Sequence, residues 1–400
     1  ISESIKKLKG DSMKNYDVCA YYFPNYHKDK RNLLVHGKDW DEWELVKKAV
    51  PRFDGHLLPN VPLWGYEDES DPKVFEKKIE AASSHGVNCF LWDWYWYEDG
   101  PFLQKCLEKG YLKSTNKSKV KFAIHWANHN WVDIHPAIRS TVNNPHTLYK
   151  GEITEKAFEE MTDYIIENYF SDPDYWKINN SPYFSIYEIG KLISGLGGLE
   201  NTIKSLDLFR KKTIAAGFSD LHLNAVVWGI PIIPGESTLH DVGNWLNVSS
   251  RFNKPDDIIK YLKFDSVTSY VWVHHVPMTT FPTVDYMDAL KKMQDYWYEA
   301  SKAYSVPYYP NVTMGWDSSP RTIQSDVFDN LGYPFTSIYV NNTPDNFQIA
   351  LEEAKKFIDD SNLSILNINA WNEWTEGTYL EPDLKNKYGY LEAIKKVFLS

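Results

Sequence analysis

Two patterns of apolar and polar residues alternate along the chain. Short runs rich in β-branched and aromatic residues, bounded by turn residues, recur eight times: 17–23 (DVCAYYF), 87–94 (VNCFLWDW), 121–127 (KFAIHWA), 182–188 (PYFSIYE), 221–228 (LHLNAVVW), 266–272 (SVTSYVW), 306–316 (VPYYPNVTMGW) and 363–371 (LSILNINAW). Between them lie stretches with helical spacing, clearest at 73–85, 155–169, 199–216, 284–304 and 344–360. The last of these follows a capping threonine, Thr343, and sets Phe347, Leu351, Ala354 and Ile358 at helical spacing. Eight strands with intervening helices predict a single (β/α)8 barrel of the α/β class. Its expected extent is residues 17–400, with residues 1–16 as an N-terminal extension. No internal repeat, low-complexity block or Gly/Ser linker marks a second domain. Residues 24–72 have little periodicity but many Trp, His, Pro and Asp residues, which predicts an elaborated loop at the rim of a binding site.

A chain of 400 residues, 43% hydrophobic and 24% charged, is long enough for one barrel with long loops. It has no run of about 18 apolar residues, so no membrane insertion is expected. Its net charge is −11, and the basic residues are scattered, which argues against nucleic acid or an anionic membrane as partner. The first residue is an isoleucine and the lysine-rich start lacks an apolar middle, so a leader is expected to have been removed or to lie outside this sequence. A periplasmic, cell-surface or secreted location in a bacterium is then expected, with the cytoplasm as the alternative. Oligomeric state is not encoded legibly, and a monomer is the default expectation. Three cysteines, Cys19, Cys89 and Cys106, are read as buried thiols; Cys19 and Cys89 could pair only if their strands are neighbours.

Aromatic residues make up 16% of the chain, including 16 Trp and 27 Tyr. Aromatic faces stack on sugar rings, and a concave site adds a few convergent polar groups, so a carbohydrate substrate is the expected partner. In barrel enzymes the site lies at the C-terminal ends of the strands. The residues expected there to bind substrate are Tyr22, His27, Asp93, Trp94, Trp126, Asn128, His129, Glu188, Trp228, Trp272, His274, Trp316, Asp317 and Asn372. Asp93, inside FLWDWYWY, is read as holding a sugar hydroxyl. The pair His125/His129 does not aim at one point from a strand, so no metal and no cofactor are expected.

The segment AWNEWTEGTYLEPD (370–383) gathers Glu373, Glu376 and Glu381 with Trp371 and Trp374. If the loop makes one helical turn, Glu373 and Glu376 share a face. Two such carboxyl groups are what glycoside hydrolysis requires, and their repulsion keeps one protonated. Glu373 and Glu376 are therefore the expected catalytic pair.

NAWNEWTEGTYLEPD, together with AYYFPNYH and the loop KDWDEWELVKKAVPRFDGHLLPNVPLWGYEDESDP, resembles the glycoside hydrolase family 99-like proteins, which include WbsX-type glycosyltransferases. The resemblance runs from about Asp17 to Leu391. It implies a (β/α)8 fold and a retaining, endo-acting hydrolase of mannose-like sugars. By the same resemblance Glu373 deprotonates the sugar 2-hydroxyl to give a 1,2-anhydro intermediate and Glu376 is the general acid/base. Trp64, Tyr66 and Glu381, within the resembling segments, join the expected substrate-binding residues. Thr375 departs from the family 99 motif, which has histidine there. The alternatives are a nucleotide-sugar-dependent transferase of polysaccharide (O-antigen) biosynthesis and a non-catalytic carbohydrate-binding barrel. A transferase needs a diphosphate site, commonly a metal-binding Asp-x-Asp or basic residues at a helix start, and no such site or glycine-rich phosphate loop is recognised.

Overall fold

The computed structural model describes residues 14–245 and 252–400; residues 1–13 of the expected extension lie outside them. The eight expected strands are present as β1 (Asp17–Tyr22), β2 (Cys89–Tyr97), β3 (Lys121–Trp126), β4 (Ser181–Ile186), β5 (His222–Val226), β6 (Ser266–Thr268), β7 (Tyr308–Tyr309 and Asn311–Thr313) and β8 (Ile365–Asn369). They run parallel in the order of the chain. Closure takes place at β7, which Pro310 splits because proline has no N–H to donate to the ladder. Tyr308–Tyr309 pairs with β6, Asn311–Thr313 pairs with β8, and β8 pairs with β1, so the ring of eight is complete.

The helices pack outside the ring. Helix α1 (Pro72–His85) starts at Asp71, whose side chain accepts from the Lys73 N–H, and ends at Gly86 with φ 94°. Helix α2 is Pro344–Asp360; Thr343 caps it as expected, and it buries Phe347, Ala350, Leu351, Ala354, Phe357 and Ile358. Each such large apolar side chain contributes about 1.5–3 kcal/mol by leaving water. Two expected helices end differently. The 155–169 stretch is α-helical only to Ile165 and widens into a π-turn over Ile166–Phe170. The 284–304 stretch starts at Tyr286, because Thr283–Asp285 pairs with Ile338–Val340.

The sense of each strand residue follows from bonds that cross the ring. Asn367 Nδ2 on β8 donates to Thr268 Oγ1 on β6 at 2.7 Å, although these strands do not pair, so the bond passes through the interior. Tyr21 likewise points inward and lies edge-on to His125 and against Tyr270. Its neighbour Tyr22 points outward, packing on Phe75 of α1 and stacking on Trp92. Cys19 stands opposite Cys89 in the β1–β2 register, and all three cysteines are buried free thiols.

The 24–72 loop holds two short helices, Lys30–His36 and Trp43–Lys48, and brings Asn25, Asn32, His36 and Trp40 to a cleft over the strand ends. No helix among the described residues is long and apolar enough to cross a membrane.

Candidate active site

The cleft spans about 910 Å³, a volume that includes its mouth open to solvent. Its walls combine aromatic side chains, among them Phe23, Trp40, Tyr95, Trp131, Tyr187, Tyr270, Trp316 and Tyr333, with the polar groups Asp93, His125, His129, His274, Arg321, Glu373 and Glu376.

Glu373 caps, and Glu376 ends, a 3-10 turn, Trp374–Glu376, that follows the eighth strand through residues 370–373, and residues three apart in such a turn lie on one side. Gly377 closes the turn with φ 64°; a Cβ there would come within 2.6 Å of Asp317 Cβ and 2.8 Å of its backbone N, so only glycine fits. The two tryptophans of this segment lie beneath the turn. Trp371 is buried edge-on to Phe90, while Trp374 stacks on Tyr379 at 3.7 Å and donates from Nε1 to Glu381 at 2.9 Å.

Arg321, in the turn after β7, joins the two glutamates. Its Nη2 donates to Glu373 Oε2 at 3.3 Å and its Nη1 to Glu376 Oε2 at 3.2 Å, while Nε donates to Thr375 Oγ1 at 3.0 Å and to Glu42 Oε1 at 3.3 Å. Thr375 Oγ1 in turn donates to Glu42 at 2.9 Å, so this threonine is part of the buried charge network. Tyr333 OH donates to Glu376 Oε2 at 2.7 Å. Burial, and after it the Glu376 charge, pushes the Glu373 carboxyl well above its ordinary range, against the pull of Arg321. Burial raises Glu42 as well, again opposed by Arg321.

Asp93 is in the cleft but already engaged: Oδ1 accepts from His125 Nδ1 at 2.8 Å and Oδ2 from Tyr270 OH at 2.8 Å. His129 faces the cleft with its pKa lowered to about 4 by burial, its Nδ1 against the Asn130 carbonyl at 2.9 Å. Burial lowers His274 to about 3, and its Nε2 meets Tyr187 OH at 3.3 Å. Both imidazoles are thus neutral at pH 7. No group of three or more side chains able to hold a metal ion occurs among the described residues.

The structure therefore brings together Glu373, Glu376, Asp93, His129, His274 and Trp316 from the expected set. The other expected residues do not line the cleft. Trp94 and Trp126 occupy the outward face of their strands, Trp94 bonded to Tyr169 OH and Trp126 packed on Phe158. Trp272 is buried against Tyr286 and donates to the Asn311 carbonyl. Trp228 packs behind the wall on Tyr187 and His274. Asn128 clamps the backbone of Glu188, and Glu188 caps the helix Ile189–Gly195 while burial raises its pKa to about 8. Asp317 binds His56 at 2.7 Å and the Ser319 N–H at 3.0 Å. His27 is buried in its loop, Trp64 bonds Tyr388 OH, and Tyr66 lies half-exposed against Trp43.

Tyr22, Asn372 and Glu381 belong to a second buried cluster behind the Trp374–Glu376 turn. Lys78 reaches Glu69 at 2.6 Å and Glu381 at 2.9 Å, Tyr22 OH donates to Glu69 at 2.7 Å, and Asn372 ties Glu69 to both backbone groups of Phe23. That explains the third glutamate of the segment: it anchors the turn.

The sequence reading missed Arg321, Tyr333, Glu42, Tyr95, Tyr187, Tyr270 and His125. A usable signal existed on two strands: with Trp92 and Trp94 outward on β2, the alternation of period two turns Asp93 and Tyr95 inward, and with Trp126 outward on β3 it turns His125 inward. Arg321 lies four residues beyond Asp317, where no strand periodicity reaches. Two Asp-x-Asp pairs also escaped recognition. Asp39/Asp41 is spent on Lys28 and on the Trp43 N–H, and Asp172/Asp174 on Lys117 at the opposite end of β3, so neither lines the cleft.

Residues 18–394 match the family described as glycosyltransferase WbsX. The uncharacterised protein WxcX of two strains of Xanthomonas campestris pv. campestris is 23% identical over 396 residues, covering 95% of this chain and 49% of WxcX. The chain thus spans about half the length of the curated relatives it matches. Among solved structures, a glycoside hydrolase-like protein superposes with TM-score 0.61 at 14% identity, covering 97% of this chain and 95% of its own. The family 99 endo-α-mannosidase of Bacteroides thetaiotaomicron, in complex with bis-tris propane, gives 0.55 at 14% identity with 95% of each chain covered. Likeness at this identity establishes the fold, a barrel shared with glycoside hydrolases.

Proposed function

Because this chain belongs to the WbsX glycosyltransferase family and has a glycoside-hydrolase-like barrel, we propose that it hydrolyses glycosidic bonds of a polysaccharide or oligosaccharide with retention, through Glu373 and Glu376. The observation that carries this reading is the convergence of both carboxylates on the Arg321 guanidinium inside an aromatic cleft. Glu376, fixed by Tyr333 and Arg321, protonates the departing glycosidic oxygen. Glu373, beside the Arg321 guanidinium that favours its ionised form, takes the proton of the sugar 2-hydroxyl. That oxygen then displaces the leaving group at the anomeric carbon to form a 1,2-anhydro sugar. Water deprotonated by Glu376 opens the anhydro ring at the anomeric carbon, and Glu373 returns its proton to O2. Two displacements at one carbon give retention. The route needs a free 2-hydroxyl trans to the leaving group, as in an α-mannoside, and mannose-like sugars are the substrate class we favour.

The family's name favours sugar transfer from a nucleotide donor instead. Against it, Arg321 is the one Lys or Arg side chain that lines the cleft among the described residues, and three carboxylates already share it. A diphosphate would meet net negative charge there. A purely sugar-binding barrel accounts for the aromatics but gives the costly burial of Glu373, Glu376 and Glu42 no purpose. Incubation with bacterial and plant polysaccharides on one hand, and with UDP- and GDP-sugars plus acceptors on the other, separates the readings. New reducing ends support hydrolysis, release of UDP or GDP supports transfer, and binding without either product leaves the non-catalytic barrel.

A further inference from the structure

Asp93, His125 and Tyr270 form an arrangement that the two-glutamate chemistry does not use. Asp93 and His125 are both buried, 3% and 1% exposed, and both line the cleft. Asp93 accepts from Tyr270 OH on one oxygen and faces His125 Nδ1 on the other, each at 2.8 Å. A carboxylate is acceptor-only, so the His125 proton must sit on Nδ1, which leaves Nε2 a bare acceptor in the neutral ring. Nε2 is buried and has no hydrogen-bond partner. The ring cannot swing away to find one: Tyr270 stacks on it at 5.4 Å, and Tyr21 and Tyr187 meet it edge-on at 5.1 and 5.7 Å. An unpaired buried acceptor facing a cleft is unfavourable until a ligand donor arrives. Asp93, His125 and Tyr270 line the same cleft as Glu373 and Glu376.

We propose that His125 Nε2, with its tautomer locked by Asp93 and Tyr270, accepts a hydrogen bond from a hydroxyl of the sugar ring held at Glu373, and so selects sugars by the placement of that hydroxyl. The inference rests on the carbohydrate reading of the cleft. In this arrangement Asp93 is a positioning residue, and the imidazole is the group that touches substrate. In Asp93→Asn an amide takes the carboxylate's place. With its oxygen held by Tyr270, its N–H₂ faces His125 and drives the ring proton to Nε2, which turns the acceptor into a donor. His125→Asn keeps a donor toward Asp93 but removes the Nε2 position.

The test uses methyl α-mannoside, its glucose and galactose epimers and their monodeoxy analogues as probes. Binding is followed by tryptophan fluorescence, since Trp131 and Trp316 line the cleft, and the His125 ring nitrogens are followed by NMR in histidine-labelled wild-type protein. The expected result is a shift of the His125 Nε2 resonance with at least one sugar. Removal of one particular hydroxyl should abolish that shift and weaken binding about 10- to 100-fold, the weight of one buried hydrogen bond to an oriented partner. Asp93→Asn and His125→Asn should each lose the same factor on the parent sugar and little on that deoxy analogue. A fluorescence response with an unmoved Nε2 resonance would overturn this inference alone. No fluorescence response to any sugar in the panel would overturn it together with the carbohydrate reading.

Discussion

Replacing Arg321 by methionine is the perturbation that most directly tests how the site is held. Arg321 is 6% exposed, and its guanidinium is the shared partner of Glu42, Glu373 and Glu376 at 3.2–3.3 Å. Methionine keeps much of the apolar stem but leaves three carboxylates facing one another in a buried space. Breaking a buried ion pair by removing one partner costs about 3–5 kcal/mol. Unfolding entropy of about 2.1 cal/mol/K per residue, over 400 residues, gives about 0.8 kcal/mol/K, so the melting temperature should drop by about 4–6 °C at neutral pH. The loss should depend on pH with a definite sign. Burial raises Glu373 and Glu42, so the native state holds more protons than the unfolded chain. Their contribution to stability is therefore present below the ordinary carboxylate range and fades as pH rises through the raised native values. Without Arg321 both native values rise further, so the penalty should be larger at pH 8 than at pH 5. Urea unfolding of both proteins at the two pH values measures it. A penalty that is equal at pH 5 and 8, or larger at pH 5, would refute the claim that Arg321 stabilises ionised carboxylates.

The remaining outcomes concern the chemistry of the site. Glu376→Gln should lower hydrolysis of unactivated substrates by about 10²–10⁴-fold while sparing aryl glycosides with good leaving groups, which need no protonation; equal loss on both would assign Glu376 another role. On those activated substrates its acidic limb should move to lower pH, because the Glu376 charge is among the causes that raise Glu373. Glu373→Gln should lose turnover on every substrate with binding retained, and full activity would remove it from the mechanism. NMR of the first-formed sugar should show retention, and a 2-O-methyl substrate should be inert; its hydrolysis would indicate a direct carboxylate nucleophile. Dialysis against EDTA should leave the rate unchanged, and a rate restored only by Mn²⁺ or Ca²⁺ would favour the transferase reading.

The sequence by itself determined the barrel and the place of the Glu373–Glu376 segment in it, because both are written in local patterns. Strand-forming runs and helix-spaced stretches are properties of neighbouring residues, and the position of WNEWTE after an eighth strand already set Glu373 and Glu376 at the barrel mouth. What tertiary structure decided is which of the many strand-end aromatics and carboxylates face the cleft. Ring closure turned Asp93, Tyr95 and His125 inward and Trp94 and Trp126 outward, a choice made by period-two alternation relative to an interior that exists only once β8 meets β1. It also decided partners distant in the chain. Arg321 meets Glu42 across 279 residues and Glu373 across 52, and Glu381 is drawn away from the site by Lys78, which no spacing in the sequence records. Buried charges need compensation wherever the fold can bring it, so the identity of each partner is set by the packing of loops against one another rather than by any local pattern.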